Sequence, residues 1–205
     1  DRFWAASLDL EMPVTIHVQI GSHQYYKDGL MGQYPKKPGP MAMNPHVTDF
    51  IKRCARYAIS GGYNSTQMVL SGVFDRFPKL RVFIAETQIG WIPNYYDQFD
   101  DLHARLHHVG EQELGLAPLS RKPSEYVRDH FLWGFMRNPV GVRMRHEIGV
   151  ENIMWSSDFP HSECDWPHSL DVIDEAMVGV PDDERYKIVA GNAIDFFHLD
   201  AIKSN

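Results

Sequence analysis

An aspartate and a histidine follow a short apolar run in the segment Ile153-Met154-Trp155-Ser156-Ser157-Asp158-Phe159-Pro160-His161. The run is too short for a helical period, and its residues suit a buried strand, which the proline ends because it has no N–H to donate. Asp158 is therefore expected at the carboxyl end of a strand, where α/β folds place ligands and catalytic groups. The alternative is an aspartate that only forms a turn. His161 is either a proton carrier or substrate contact, or a solvated loop residue.

Two further polar side chains stand in or at the end of other strand-like runs. His17 lies in the β-branched run Val14–Gln19, and Glu86 ends the apolar run Leu80–Glu86. Taken singly, His17 can be a core histidine bonded to backbone, and Glu86 a carboxylate at a helix N-terminus. Three such groups together favour a shared site, because parallel strands bring these positions to one rim. One imidazole and two carboxylates suit a divalent ion, Zn²⁺ first and Mn²⁺ second, whose bound water is acidic near neutral pH.

Strand-like and helix-like segments alternate four times, which predicts an α/β fold with a parallel sheet. The two remaining strands are expected at Phe131–Phe135 and just before Asp158. A closed TIM-type (β/α)8 barrel takes about 250 residues, so four units in a single domain over residues 1–205 predict about half of one. A half-barrel exposes strand edges, so we expect a missing N-terminal half or a second copy of the chain to cover them.

Helices are expected wherever apolar residues recur at three-to-four spacing. The main predicted helices are Arg2–Glu11, Asp49–Tyr57, Ser65–Phe77, Gly90–His108, Asn138–His146, Pro167–Met177, Asp182–Val189 and Asn192–Leu199. Gly61-Gly62 is expected to separate the second helix from the third, and Asn192 to cap the last one. The glycine- and proline-rich stretch Gly21–Pro45 is expected to be a lid or binding loop over a small-molecule substrate.

The net charge, the apolar stretches and the cysteine spacing indicate which classes of partner the protein binds. The formal net charge is −7, which argues against nucleic acid and against an anionic membrane surface. The sequence has no apolar stretch of bilayer-spanning length and no signal-peptide pattern. Its two cysteines, Cys54 and Cys164, lie too far apart for a metal-binding motif. We therefore expect a reduced, cytoplasmic protein that acts on a small molecule and associates with copies of itself.

Five short segments, taken in chain order, have the pattern of a known family. They are Leu10–His17, Gly72–Leu80, Ala85-Glu86 with Gly90-Trp91, Ser157–His161 and Gly191-Asn192-Ala193. On these segments the sequence resembles the C-terminal half of the amidohydrolase superfamily. The branch that it resembles, amidohydrolase 2, includes aminocarboxymuconate-semialdehyde decarboxylase and related aromatic-acid decarboxylases.

The resemblance implies a (β/α)8 barrel of which this chain supplies strands 5–8. It implies that His17 is the metal ligand of strand 5, and that Asp158 of strand 8 is a ligand and general base. Glu86 stands at the strand-6 position, where histidine is common, and is a ligand, a base or an electrostatic replacement. The family's first-strand His-x-His pair is expected before Asp1.

The expected activity is that of a metal-dependent hydrolase acting on a small carboxylated, aromatic or cyclic compound. The alternative is a non-oxidative decarboxylase of the same family, and a second alternative is a half-barrel fragment without catalysis. In the hydrolase, Asp158 takes a proton from metal-bound water. In the decarboxylase, Asp158 or Glu86 carries the proton, and His161 is a further catalytic candidate.

Overall fold

The computed structural model describes residues 1–17, 61–160 and 164–199. The predicted helix Asp49–Tyr57, the predicted loop Gly21–Pro45 and the candidate residue His161 lie outside these ranges.

The described part of the chain forms a four-stranded parallel sheet. Its strands are β1 (Val14–His17), β2 (Val82–Ala85), β3 (Phe131–Phe135) and β4 (Ile153–Trp155), and each pairs with the next in the order β1-β2-β3-β4. The register sets His17 beside Ala85, Ile84 beside Trp133 and Phe135 beside Trp155. The sequence prediction of a parallel α/β sheet is confirmed. Because every strand runs the same way, all four carboxyl ends lie along one edge.

Helices connect the strands and continue after the last of them. They are α1 (Arg2–Asp9), α2 (Gly61–Leu70), α3 (Val73–Arg76), α4 (Ile92–Val109), α5 (Pro123–His130), α6 (Pro139–Arg143), α7 (Arg145–Ile148), α8 (Ser169–Ala176), α9 (Asp182–Tyr186) and α10 (Asn192–Phe196). Wide π-helical turns follow α4 at Gly110–Leu114 and precede α10 at Lys187–Gly191, and a 3-10 turn covers Val150–Asn152. None of the described helices is both long and apolar enough to cross a bilayer.

The two faces of the sheet carry different clusters, because side chains alternate between faces along a strand. One face of the sheet holds the main core, in which Ile84, Phe131, Trp133 and Phe135 are fully buried. The opposite face carries a smaller cluster formed by Leu132, Met154 and Phe196, with Phe83 and Phe197 packed against it. His17 is paired with Ala85 and so lies on this second face, as Leu132 and Met154 do.

Gly61 and Gly62 were expected before the helix that begins at Ser65, and the structure places them inside a helix instead. Both glycines lie in α2 and are buried. A Cβ on Gly61 would stand 2.4 Å from the Cγ2 atom of Thr87, so glycine there permits close packing of α2 on the loop after β2. The predicted helix Ser65–Phe77 is instead divided at Gly72, whose φ of +67° is in the left-handed region.

The prediction that Asn192 caps the last helix is also wrong. Residues 187–196 are helical throughout, so the N–H groups near Asn192 need no side-chain cap. Its side-chain amide points elsewhere: Nδ2 donates to the carbonyl oxygens of Val150 at 2.7 Å and Ile153 at 2.8 Å. Asn192 therefore ties the last helix to the beginning of β4.

Candidate active site at the carboxyl ends of the strands

Three of the predicted site residues lie along the edge formed by the carboxyl ends of the strands. His17 is the last residue of β1, Glu86 directly follows β2, and Asp158 stands three residues beyond β4. We call this edge, with the residues that directly follow each strand, the carboxyl rim. The fourth candidate, His161, is outside the described residues, and its role stays a prediction.

His17 and Glu86 are in direct contact. The Nε2 atom of His17 lies 3.0 Å from Oε1 of Glu86, and the two side chains are 46% and 27% exposed. The register pairs His17 with Ala85, so strand alternation alone would direct the next side chain, that of Glu86, to the opposite face of the sheet. The contact forms where the strand has ended and the backbone of Glu86 adopts a φ of +60°. A carboxylate at this distance fixes the orientation of the ring and the nitrogen that carries its proton. The pair remains open enough to meet a ligand.

The backbone turns sharply at Glu86, in a way that non-glycine residues rarely adopt. The φ angles of Glu86 and Gln88 are +60° and +56°, both in the left-handed region. The turn is held from both sides: the Thr87 N–H donates to the carbonyl of Gly134 at 3.0 Å, and the Trp91 indole N–H donates to the carbonyl of Thr87 at 2.9 Å. Backbone conformations of this kind cost about 1–3 kcal/mol and concentrate at functional sites.

Gly134 of β3 makes room for this turn. A Cβ built on it would stand 2.9 Å from the ring of Phe83 and 3.1 Å from the backbone nitrogen of Glu86. The second of these neighbours is backbone and cannot move aside cheaply, so a side chain at residue 134 would push against the segment that carries Glu86. The sequence signal was a glycine inside an otherwise apolar strand, a pattern that indicates close approach of another backbone.

Asp158 has the same unusual backbone as Glu86. Its φ is +58°, and its side chain is partly buried. The chain leading to it is fixed to the sheet and to the following loop, since the Ser156 N–H donates to the carbonyl of Phe135 at 2.9 Å and the Asp165 N–H donates to that of Ser157 at 3.2 Å. β4 itself is shorter than expected and ends at Trp155.

The fit of these residues to a divalent metal is partial. An imidazole and a carboxylate are both donor types that divalent ions accept, and the Nε2 atom of His17 and the Oε1 atom of Glu86 lie 3.0 Å apart, in contact with each other. However, residues 1–17, 61–160 and 164–199 contain no group of three His, Cys, Asp or Glu side chains that could hold a metal ion. Catalytic zinc takes three protein ligands, so the described residues offer a pair of donors and not a complete site.

A cationic side chain that sequence reasoning missed also belongs to the carboxyl rim. Arg137 follows β3 by two residues, and its Nε and Nη2 atoms contact Oδ1 of Asp165 at 2.6 Å and 2.5 Å. The two residues are separated by 28 positions, and neither forms a recognisable motif with its neighbours. No signal in the sequence would have paired them.

The profile of the amidohydrolase family matches residues 1–199. The chain is 26% identical over 139 residues to a gamma-resorcylate decarboxylase of a Polaromonas species, covering 66% of this chain and 40% of that protein. It is 25% identical over 201 residues to a gamma-resorcylate decarboxylase of Rhodococcus jostii, covering 97% of this chain and 54% of that protein. The chain thus spans about half the length of the curated relatives it matches.

Two solved structures have a fold similar to that of this chain. The 5-carboxyvanillate decarboxylase from Sphingomonas paucimobilis has a TM-score of 0.66 and 25% sequence identity, over 95% of this chain and 52% of that one. A dihydroxybenzoic acid decarboxylase from a Polaromonas species, solved with bound manganese and 2-nitroresorcinol, shares the fold at 20% identity with a TM-score of 0.59, over 97% of this chain and 53% of that one. The parallel sheet is that of the amidohydrolase TIM-barrel fold. This chain belongs to the amidohydrolase family.

Proposed function

We propose that this chain is the C-terminal half of a metal-dependent decarboxylase that removes CO₂ from a hydroxylated aromatic acid. The observation that carries the proposal is the 3.0 Å contact between His17 and Glu86, on the same carboxyl rim as Asp158. Relatives that act on gamma-resorcylate and 5-carboxyvanillate favour decarboxylation over the hydrolysis that the sequence alone put first. We therefore expect a small substrate that carries both a carboxylate and a phenol.

We further propose that β1–β4 are strands 5–8 of a (β/α)8 barrel, within one domain that extends beyond residues 1–205. The sequential strand order and the coverage of about half of each relative support this proposal. Its test is the coding sequence before Asp1, where we expect an apolar strand that ends in His-x-His. A native polypeptide without that pair would contradict the proposed metal site.

The metal ligands in this proposal are His17, Glu86 and Asp158, completed by the expected His-x-His pair. A bound divalent ion, manganese or zinc, would draw in and neutralise the anionic oxygens of the substrate. The strained turn at Glu86 fixes the position of its carboxylate beside the imidazole of His17.

Asp158 is the proposed proton carrier. It delivers a proton to the ring carbon that bears the carboxylate, the bond between this carbon and the carboxylate breaks, and the electron pair returns to the ring as CO₂ leaves. Solvent returns a proton to Asp158, with His161 as the candidate relay. One proton is consumed for each carboxylate converted to CO₂. Glu86 is the alternative carrier.

The test is CO₂ release from a panel of carboxylated phenols by the complete metal-loaded polypeptide, with lactone and amide hydrolysis measured beside it. We expect CO₂ release from at least one phenolic acid and a drop of about 10²- to 10⁴-fold on Asp158→Asn. Asp171→Asn, a substitution at an exposed carboxylate of α8, is the matched control. Hydrolysis without CO₂ release would show that the protein is a hydrolase and would contradict the proposed decarboxylation. Neither activity, with no metal retained by elemental analysis, would support a fragment without catalysis.

A further inference from the structure

Arg137 and Asp165 form an ion pair whose two halves are in very different surroundings. The side chain of Arg137 is 65% exposed, whereas that of Asp165 is 1% exposed. A buried carboxylate is costly unless its charge and its oxygens are all satisfied. Arg137 balances the charge but bonds to only one of the two carboxylate oxygens. Its Nε and Nη2 atoms both contact Oδ1, whereas Oδ2 is buried without a hydrogen-bond partner in the part of the chain that the structure describes.

The backbone around both residues is fixed. Asp165 donates its N–H to the carbonyl of Ser157 at 3.2 Å, and its own carbonyl accepts from the His168 N–H at 2.7 Å. On the other side, the Asn138 side chain caps α6 by accepting from the Gly141 N–H at 2.7 Å. The carboxylate of Asp165 contacts the guanidinium through Nε and Nη2, and three of the five guanidinium N–H bonds are not used in this ion pair.

The carboxyl rim otherwise carries negative charge. Glu86 and Asp158 follow the strands on either side of β3, and an aromatic acid is itself an anion. Within the described residues that lie between the end of each strand and the next helix, Arg137 is the one lysine or arginine. A guanidinium held by one edge presents a planar fork of donors that matches a carboxylate or phenolate.

We propose that Arg137 binds the carboxylate of the aromatic acid substrate and that Asp165 is the residue that positions it. This inference rests on the proposed function, because it names the group that selects the acid over its decarboxylated product. The selection would arise because the product has lost the carboxylate that Arg137 binds in this proposal.

The experiment is calorimetric titration of the complete metal-loaded polypeptide with 2,6-dihydroxybenzoate and, separately, with resorcinol, which lacks the carboxylate. We expect Arg137→Gln to weaken 2,6-dihydroxybenzoate binding by about ten- to a hundredfold, as for a lost hydrogen bond to a charged group, and to leave resorcinol binding unchanged. Arg137→Lys should recover part of the loss, since it restores the charge but not the fork. Arg143→Gln, at an exposed arginine of α6, is the matched control.

Asp165→Asn tests the positioning role by steady-state kinetics. We expect KM for the acid to rise with little change in kcat, and circular dichroism to report whether the fold is retained. An equal loss of affinity for both ligands on Arg137→Gln, or no loss for either, would overturn the inference. Carboxylate-selective binding that depends on Arg137, but without CO₂ release, would uphold it while removing the proposed decarboxylation.

Discussion

Replacing Asn192 distinguishes its observed role from the capping role that its sequence position indicates. Asn192 is 8% exposed, and its amide supplies the donors for two buried carbonyls, those of Val150 and Ile153. Asn192→Ala removes both hydrogen bonds, and each buried acceptor left without a donor costs about 1–3 kcal/mol. We therefore expect the free energy of unfolding to fall by roughly 2–4 kcal/mol.

Asn192→Asp gives the sharper comparison. Aspartate is as good a helix cap as asparagine, so a capping role predicts almost no change. In the observed role, the substitution sets carboxylate oxygens against two carbonyl oxygens, and we expect a loss at least as large as that of Asn192→Ala. Asp195→Ala, at a largely exposed residue of the same helix, is the control and should cost well under 1 kcal/mol.

The assay is urea unfolding of the complete polypeptide, followed by tryptophan fluorescence. A stable Asn192→Asp variant, together with a loss below about 1 kcal/mol for Asn192→Ala, would refute the reasoning. That result would return Asn192 to a capping role.

Two further perturbations test the packing and the electrostatics. Gly61→Ala sets a methyl group 2.4 Å from Cγ2 of Thr87 and should cost about 1–3 kcal/mol in urea unfolding. Thr87→Ser removes the Cγ2 methyl and should restore part of the loss, because Cζ3 of Trp133 still lies 3.1 Å from the added Cβ; no rescue would contradict the contact. Burial lowers the pKa of His130, whose Nδ1 donates to the Leu80 carbonyl at 2.7 Å. The unfolded chain then takes up the proton first as pH falls, so the contribution of His130 to stability should be constant above the ordinary histidine pKa of about 6.5 and decrease below it. Unfolding measured from about pH 7.5 to 5 should show a shallower decrease for His130→Gln, and identical slopes would contradict the burial argument.

Local sequence patterns were enough to predict the sheet. The apolar run Phe131–Phe135 and the residues before Asp158 have the composition of buried strands, and their alternation with helical segments indicates parallel pairing. This pairing places His17 and Glu86 on neighbouring strands at the same edge of the sheet, whereas the contact between their side chains also depends on the left-handed backbone of Glu86, which the sequence did not predict. The sequence therefore predicted the strands whose carboxyl ends carry His17 and Glu86, and the catalytic role of these residues stays a prediction.

The features that sequence reasoning missed depend on contacts between distant parts of the chain. Gly61 packs on Thr87, and the glycine pair was interpreted as a break because turns are its commoner use. Asn192 bonds to carbonyls about 40 positions earlier, so its neighbours in sequence suggested only a cap. Arg137 depends in the same way on Asp165. Local patterns predict elements, whereas these contacts arise only once the elements are packed together.

The most direct test of the central claim is a double-mutant cycle on the rate of CO₂ release from the phenolic acid of the panel that the unaltered polypeptide decarboxylates fastest. Residues that act as one catalytic unit are strongly non-additive. We predict that Asp158→Asn and Glu86→Gln each lower the rate by about 10²- to 10⁴-fold, and that the double variant is little slower than the slower of the two. Folded variants that keep the wild-type rate, or two losses that simply multiply, would contradict a single site at the carboxyl rim.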